Sequence, residues 1–328
     1  MVLADAQAEG DDWVAERVLA DVTYLDALMG ERLDLDTYLR RTQGVGADPW
    51  PAEYIDQRRV EAIDALADLG IGWGPNTIND LEDAEGRLSP AETAEHIERY
   101  AAELEPTVRR LVDTDAPMKL RIEEVEVDDY WSYWLDGAGA DARLRINLPN
   151  AQFTKVRARQ LALHELHGHA LQGATYYQRA QEHDVPWVRI LSVHAPQQSL
   201  LEGLAQAFPL FVTPDEPDLI ARTRLTLYSQ LVRAELHIRI NGGHTPAQCV
   251  EYARSMTPFV NGAALADSLA DRANNVLLRS YLWSYASGMD WFVRLHEGQP
   301  RVTAGEVLTK SFCDPLTPSR LQTLAGST

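Results

Sequence analysis

The pattern of hydrophobic and polar positions divides the chain into a helical part, a short stretch of strands and a second helical part. Apolar and polar residues alternate in residues 119–127 and 143–148, as they do in strands with one buried face. From residue 153 onward the apolar residues recur at the 3.6-residue period of a helix. This period predicts helices over 153–182, 197–210, 217–240, 246–256, 263–296 and 304–310. The pattern therefore indicates a predominantly helical α+β fold with a small β-sheet.

The second of the two strand stretches comes directly before the long 153–182 helix. Residues 143–148 read Arg-Leu-Arg-Ile-Asn-Leu, and the single wet face predicts an edge strand of the sheet. The aromatic residues at 130–134 precede this strand, and we expect them to pack beneath the sheet rather than to line a pocket. The expected order is thus an edge strand followed by a buried helix.

The first part of the chain carries signals for helix starts. Residues 13–42 predict two short helices, the second of which begins at Asp34 or Asp36. The sequence Ser89-Pro90-Ala91-Glu92 is a capping box with proline at the first helical position, and it predicts a helix over 90–113. This part is therefore expected to be wholly helical.

The length and the charge of the chain limit its class. A chain of 328 residues, 45% of them hydrophobic, is long enough to bury a large core. We expect an N-terminal helical region over 1–114 and a second region over 115–328, together in one compact unit. The formal net charge of −19 makes nucleic acid and anionic membrane surfaces unexpected partners. The sequence gives no expectation for the oligomeric state.

The cysteines and the apolar runs bear on the compartment. The two cysteines, Cys249 and Cys313, are too few for a disulfide framework. Residues 1–12 are acidic and rich in alanine and lack the basic and apolar segments of a signal peptide. No run of about 18 apolar residues is present, so we expect no membrane-spanning helix. Together these features predict a cytoplasmic protein.

Three histidines and a glutamate lie within six residues of the predicted 153–182 helix. The segment reads His164-Glu165-Leu166-His167-Gly168-His169, and a second glutamate follows in Glu202-Gly203-Leu204-Ala205. Two neutral imidazoles and one carboxylate are a common ligand set of catalytic zinc, which keeps a fourth position for water. Glu165 is then placed to accept the proton of that water. The sequence therefore predicts a zinc site with His164, Glu202 and one more histidine as ligands.

The choice of the second histidine depends on the geometry of the helix. The usual zinc motif has two histidines four residues apart on one helical face, whereas His164 and His169 are five residues apart. In a regular α-helix, residues five apart point about 140° from each other and do not meet one ion. A π-bulge, or a helix that ends near Gly168, would bring the two histidines together. A regular helix would use His164 with His167, about 60° apart. We prefer His169 and keep His167 as the alternative.

These residues resemble the signature of a widespread bacterial zincin-like family, catalogued as a domain of unknown function: H-E-x-x-P-G-H-x-x-Q followed by E-G-W-A. The matching residues are His164-Glu165, Gly168-His169, Gln172 and Glu202-Gly203-Leu204-Ala205, with further likeness at Ile146-Asn147-Leu148-Pro149, Thr245-Pro246-Ala247-Gln248 and Tyr285-Ala286-Ser287-Gly288. The chain lacks the proline of the signature and has one residue fewer before Gly168. It therefore resembles a shortened, variant member of that family.

The spacing also resembles that of the H-E-x-x-x-H tubulin tyrosine carboxypeptidases, which carry an E-G-L-A segment. Both resemblances imply a gluzincin-like fold in which two histidines and a glutamate hold zinc, with residues 115–328 as the zincin-like metal-binding catalytic region.

Five more residues are candidates for roles around such a site. Tyr285, in the segment that resembles the family's late Y-x-x-G, is our candidate hydrogen-bond donor to the oxyanion, and His237 is a second. Arg279 is a candidate for binding a substrate carboxylate, although a structural ion pair is the commoner role for such a residue. His194 is a candidate for approaching the metal, and Gln172 for supporting a ligand.

Three functions fit these residues. The first is a zinc-dependent, metallopeptidase-like hydrolase of a peptide or small amide bond, in which the 143–148 strand aligns an extended substrate. The second is a metal-dependent tailoring enzyme of small-molecule metabolism, since two histidines and one carboxylate also hold non-haem iron. The third is a non-catalytic helical binding protein. Glu165 beside His164 favours hydrolysis, because an oxygenase has no evident need of that base.

Overall fold

The structure of the protein is a computed structural model, which describes residues 4–5, 12–183, 185, 191–299 and 302–326. It is a mostly helical α+β fold with one small mixed sheet. The helices before the sheet are α1 (Asp12–Leu28), α2 (Leu35–Thr42), α3 (Ala52–Asp68), α4 (Thr77–Glu85) and α5 (Pro90–Val112). The strands are β1 (Lys119–Val125), β2 (Tyr133–Ala138) and β3 (Asp141–Asn147).

A long helix of three segments follows the sheet. It consists of α6 (Lys155–Leu161), a π-helix (Ala162–Leu171) and α7 (Gln172–Glu182). The remaining helices are α8 (Gln198–Val212), α9 (Pro217–Asn241), α10 (Pro246–Met256), α11 (Gly262–Asn274), α12 (Val276–His296), α13 (Ala304–Cys313) and α14 (Pro318–Gly326). None of the described helices combines the length and the hydrophobicity that a bilayer crossing needs.

Several helix ends lie where the sequence predicts them. Asp34 caps α2 by accepting a hydrogen bond from the backbone N–H of Thr37. Ser89 and Glu92 form the capping box at the start of α5. The predicted helix over 263–296 is wrong in one respect, because Asn275 divides it into α11 and α12. The side chain of Asn275 accepts a hydrogen bond from Leu278, so a new helix begins there instead of continuing.

The expectation that residues 143–148 form an edge strand is wrong. In the order β1-β3-β2, strand β3 is central, parallel to β1 and antiparallel to β2. Leu144 and Ile146 of β3 are buried, whereas Arg143 and Arg145 on its other face form ion pairs with Asp136 of β2. The alternation correctly indicated one wet face, but a wet face does not reveal whether a strand has neighbours on both sides.

The largest hydrophobic cluster joins helices from both ends of the chain. Ile55 of α3 and Leu104 of α5 belong to it, together with Leu204 of α8, Tyr228 of α9 and Phe292 of α12. Residues of both predicted regions, 1–114 and 115–328, therefore contribute to one core. The cysteines are both free. The expectation about a leader at residues 1–12 falls almost wholly outside the described residues.

Candidate metal centre

A π-helix carries the histidine-rich segment. Over Ala162–Leu171 the chain forms wider turns than an α-helix, so that residues five apart share one face. The Nε2 atoms of His164 and His169 lie 3.2 Å apart. Of the two distortions that the spacing allowed, the structure has the π-helical one, and the helix continues beyond Gly168 into α7.

Gly168 allows the π-helix to approach α8 closely. A Cβ atom at position 168 would lie 2.8 Å from the Cβ atom of Ala205, which is closer than two such atoms pack. Ala205 lies one helical turn after Glu202 on α8. A side chain at position 168 would therefore keep the two helices apart. The close contact that glycine permits brings Glu202 to the two histidines.

Glu202 completes a cluster of three side chains. Its Oε2 atom lies 3.5 Å from Nε2 of His164 and 3.7 Å from Nε2 of His169. Tetrahedral zinc, with bonds of about 2.0–2.1 Å, holds its ligand atoms about 3.3–3.4 Å apart. The three separations of 3.2, 3.5 and 3.7 Å lie close to that value. His164, His169 and Glu202 thus fit the space around one ion.

The two oxygens of Glu202 have different surroundings. Oε1 accepts hydrogen bonds from Gln198 Nε2 at 3.1 Å and from the Tyr281 hydroxyl at 2.7 Å. Oε2 is buried, accepts no hydrogen bond and faces the two imidazoles. A buried carboxylate oxygen without a donor is costly, and a metal cation at this position would satisfy it. The donors to Oε1 would hold the carboxylate in the orientation that ligation needs.

The charges of the cluster also favour a bound cation. Burial alone would raise the pKa of Glu202, but the adjacent His169 and His164 hold it well below its usual value. Burial alone would lower the pKa of His169, but the Glu202 carboxylate raises it to about 9. The carboxylate therefore attracts positive charge, either a proton on His169 or a metal cation. Because zinc binds neutral imidazole, metal binding would release that proton.

Glu165 lies in the same space without taking part in the set of three. Its Oε1 atom is 3.6 Å from Nε2 of His164, and its side chain is buried. Tyr133 of β2 borders the same cavity as Glu165, and burial, followed by the charges of Glu165 and Glu202, raises the pKa of its hydroxyl. A carboxylate beside the cluster is where a base for water activation would be needed.

Two tyrosines of α12 cover the cluster. The hydroxyls of Tyr281 and Tyr285 are 2.6 Å apart, and Tyr281 donates its proton to Glu202. Tyr285 must therefore donate its own proton to the Tyr281 oxygen in this arrangement. Burial, and then the negative charge of Glu202, raise the pKa of both hydroxyls, so both stay protonated.

A glycine contact fixes α12 against α8. A Cβ atom on Gly288 would overlap the carbonyl oxygen of Ser199, and one on Gly203 would overlap the backbone of Gly288. The two helices therefore touch backbone to backbone one turn beyond Tyr285. These are the glycines of the E-G-L-A and Y-x-x-G segments, and their close approach places Tyr281 and Tyr285 beside Glu202.

The cluster opens into a cavity of about 600 Å³. Besides the cluster and the two tyrosines, its wall includes Tyr133, Trp134 and Leu135 of β2, and Leu191, Ser192 and Val193 from the part of the 184–197 loop that the structure describes. Strand β2 is an edge strand of the sheet. The expectation that the 130–134 aromatics pack only beneath the sheet is wrong for Tyr133 and Trp134, because β2 lies at the edge that borders the cavity.

The structure does not bring every candidate to this cavity. His167 is fully buried and its Nε2 lies 3.1 Å from the carbonyl oxygen of Ala101, away from the cluster. Burial lowers the pKa of His167 to about 4. His194 instead lies 2.7 Å from Asp21 and stacks on Tyr24. Both histidines thus have structural partners of their own.

Three more candidates have other contacts. His237 is buried between Trp283 and Arg272 and is not among the residues of the cavity wall, so the prediction that it donates to the oxyanion is wrong. Arg279 donates to the side chain of Asn241 and the carbonyl of Leu33, a structural role. Gln172 borders the cavity, but its side chain donates to the carbonyl of Ser311, and only its backbone N–H donates to His169, at the carbonyl oxygen.

Three residues of the site escaped the sequence: Tyr133, Gln198 and Tyr281. Helical spacing held a signal for two of them. Gln198 lies four residues before Glu202, and Tyr281 lies four residues before Tyr285, so each shares a helical face with a candidate.

Neither a protein-family model nor a curated protein matches the chain. Its fold is similar to that of a solved structure described as "the putative lipoprotein from Colwellia psychrerythraea", with a TM-score of 0.64 and 17% identity over 93% of this chain and 55% of that one. It is also similar to "a putative lipoprotein of unknown function from Shewanella oneidensis", with a TM-score of 0.56 and 15% identity over 98% of this chain and 64% of that one. The chain spans less than two thirds of either protein. At these identities the likeness establishes a shared fold alone.

Proposed function

We propose that this protein is a zinc-dependent hydrolase of a peptide or small amide bond. One observation carries the proposal: His164, His169 and Glu202 converge, while the buried Oε2 atom of Glu202 accepts no hydrogen bond. Two imidazoles, a carboxylate and an adjoining cavity are the donor set and the open side of a catalytic zinc site. The π-helix supports a gluzincin-like assignment, because its wider turn brings both histidines of the H-E-x-x-x-H spacing to one side of the helix.

Zinc in this site would supply Lewis acidity, which lowers the pKa of a water molecule and polarises a carbonyl group. Glu165 would accept the proton of the attacking water and return it to the leaving nitrogen. Its Oε1 atom is 3.6 Å from Nε2 of His164, so the carboxylate lies next to a proposed ligand and would be close to a water molecule held at the site. The low exposure of Glu165 keeps bulk water from competing for it.

The oxyanion would be stabilised by a tyrosine hydroxyl. Tyr285 donates to Tyr281 in this arrangement, so its O–H must turn towards the substrate to act. Tyr281 can keep its hydrogen bond to Glu202 while this happens. The raised pKa of Tyr285 ensures that the proton is present at neutral pH.

The substrate would lie along β2 rather than along the strand expected from the sequence. As an edge strand, β2 has backbone groups available for pairing with an extended chain. Its residues Tyr133 and Trp134 border the same cavity as Glu165. This placement supports a peptide or an extended amide as the substrate.

The alternative to a zinc hydrolase is a non-haem iron enzyme, because two histidines and one carboxylate also bind iron. The position of Glu165, buried and next to the cluster, supports hydrolysis instead. The cytoplasmic location expected from the sequence stays a prediction beside this proposal.

The test is metal content and turnover of the wild type and of Glu165→Gln. We expect about one zinc per chain in both proteins by elemental mass spectrometry. Against a panel of peptides and small amides, Glu165→Gln should lose about 10²–10⁴-fold in kcat, because the base is gone while the metal stays. Arg224→Gln, an exposed change on α9, serves as the control with wild-type turnover. Iron with oxygen consumption, or full turnover by Glu165→Gln, would rule out the hydrolase.

A further inference from the structure

A second cavity, of about 620 Å³, lies among α9, α11, α12 and the loop after α10. Its wall is largely apolar, with Leu236, Phe259, Val260, Leu265 and Leu282 among its residues. Two arginines, Arg233 of α9 and Arg272 of α11, also line it. Neither belongs to the wall of the candidate metal centre.

Arg233 and Arg272 have no acidic partner in the part of the chain that the structure describes. Among the residues that the structure describes, no carboxylate oxygen lies within the 4.0 Å ion-pair distance of either guanidinium. Asp271 also borders the cavity, but it is exposed and pairs with neither arginine. The chain has 49 acidic residues against 30 basic ones, so the lack of a counter-charge here is not a shortage of carboxylates.

Two other enclosed arginines of the protein do have such partners, whereas Arg279 donates to neutral oxygens of Asn241 and Leu33. Arg58 is 2% exposed and binds Glu61 at 2.8 Å and Glu297. Arg222 donates to Glu85 at 2.6 Å. Arg272 is 7% exposed, yet its guanidinium donates to a neutral ring, from Nη1 to Nδ1 of His237 at 3.3 Å. A buried cation without an anion is costly, and a bound anion would remove that cost.

The electrostatics of the two arginines agree with their geometry. Burial, and then the positive charge of Arg233, lower the pKa of Arg272 to about 9. Arg233 is accessible to solvent but lies in a concave wall, and the surrounding protein lowers its pKa as well. Both remain protonated at neutral pH, so two positive charges face one apolar cavity.

We propose that this cavity is a binding site for an organic anion with an apolar body, whose carboxylate or phosphate group binds Arg233 and Arg272. The guanidiniums supply bidentate donors to the head group, and the apolar wall takes the hydrocarbon part. His237 is a positioning residue in this site, since it accepts a hydrogen bond from Arg272 and directs the guanidinium. The proposal does not depend on the metal centre.

Four probes test the site by isothermal titration calorimetry of the full chain: octanoate, octyl phosphate, 1-octanol and acetate. We expect one molecule of octanoate or octyl phosphate to bind per chain, and the tighter of the two identifies the head group. Octanol, which lacks the charge, and acetate, which lacks the apolar body, should each bind at least tenfold more weakly. Equal binding of octanol, or of acetate, would overturn the proposal.

Charge-removing variants locate the binding. Arg233→Gln and Arg272→Gln should each weaken the anion about tenfold or more, whereas the exposed Arg224→Gln on the same helix as Arg233 should bind like the wild type. If Arg272→Gln fails to fold, Arg233→Gln decides alone, because its side chain is accessible to solvent. Wild-type affinity in Arg233→Gln would contradict the proposal.

Discussion

The two cavities differ in the kind of polar group that they leave unsatisfied. In the candidate metal centre, the buried group without a hydrogen-bond donor is an acceptor, Oε2 of Glu202, which faces the imidazoles of His164 and His169. In the second cavity, the arginine cavity lined by Arg233 and Arg272, the groups are guanidinium donors that meet no carboxylate among the described residues. Buried acceptors without donors attract a cation, and buried donors without acceptors attract an anion. The unpaired groups therefore predict a cation as the ligand of one cavity and an anion as the ligand of the other, although the two cavities are similar in size.

Helix α12 contributes to both cavities. Tyr281 and Tyr285 cover the metal cluster, while Leu278 and Leu282 border the arginine cavity. A change that displaces α12 should therefore disturb both, whereas a change of one charged group should disturb only its own cavity. The following predictions separate these cases.

The largest expected effect is the loss of metal from the ligand variants. Glu202→Gln and His169→Ala should lose stoichiometric zinc, because each removes one of the three ligands. His167→Ala and Arg233→Gln should keep it, since neither side chain belongs to the cluster. Elemental mass spectrometry on the purified proteins measures this. Zinc lost from His167→Ala but kept in His169→Ala would mean that the ligand set is wrong.

A smaller but substantial loss is expected when the contact between α8 and α12 is opened. In Gly288→Ala the added Cβ overlaps the backbone of Ser199, so the helices must separate, and the free energy of unfolding should fall by about 3 kcal/mol. In Gly173→Ala the added Cβ meets nothing within 4 Å, and the unfolding free energy should rise by up to about 1 kcal/mol. Urea titration measures both. Equal stability of the two variants would show that the close approach does not matter.

The third prediction concerns acid stability and applies to the arginine cavity alone. Burial, and then the charges of Arg272 and Arg279, lower the pKa of His237 to about 3, so the folded protein takes up its proton far less readily than the unfolded chain, whose histidine pKa is near 6.5. The stabilising contribution is therefore complete above pH 6.5 and is lost as the pH falls towards 3. Between pH 7.5 and 4.5 the wild type should lose about 3 kcal/mol relative to His237→Gln.

Denaturation of both proteins across this range measures the difference. Trp283 packs on the same ring, so His237→Gln is expected to be less stable than the wild type at pH 7.5. The prediction concerns only how the difference in unfolding free energy between the two proteins changes with pH. A gap that stays constant from pH 7.5 to 4.5 would show that His237 does not titrate as a buried neutral ring.

The smallest expected effect separates the two tyrosines of α12. Tyr281→Phe removes a donor to Glu202, so zinc affinity should fall about tenfold. Tyr285→Phe removes a hydroxyl that does not contact Glu202, so zinc affinity should stay unchanged while turnover falls. Competition with a zinc chelator gives the affinities. If both variants lost the same affinity, the hydrogen bond from Tyr281 would have no special role.

The sequence predicted the cluster of His164, His169 and Glu202 better than the residues around that cluster. The residue types at 164, 169 and 202 suffice to name candidate ligands, because few side chains bind zinc. The choice between His167 and His169 required the structure, since it depends on whether the helix widens where Gly168 meets Ala205. Tyr281 was not identified from the sequence. The spacing of residues shows which of them share a helical face, but it does not show which other helix packs against that face.

The wrong expectations share one physical cause. Alternation along 143–148 reports the environment of two faces, whereas the number of neighbouring strands is set by residues elsewhere in the chain. His237 follows a Glu-Leu pair as His167 does, but a local likeness carries no information about distance to the cluster. Nothing in the sequence indicated the arginine cavity. The distance of Arg233 and Arg272 from the carboxylates of the described residues is set by the fold, and no local pattern reports it.

The π-helix can also be described in terms of insertions and deletions. Its wider turn accommodates one residue more than an α-helix of the same span would hold. Deleting His167 would leave His164-Glu165-Leu166-Gly168-His169, in which the two histidines are four residues apart, as an ordinary α-helix requires. The hydrogen bond to Ala101 would be lost in that variant. If the deletion variant still binds zinc, the loss of a single codon is enough to convert the H-E-x-x-x-H spacing into a working H-E-x-x-H spacing.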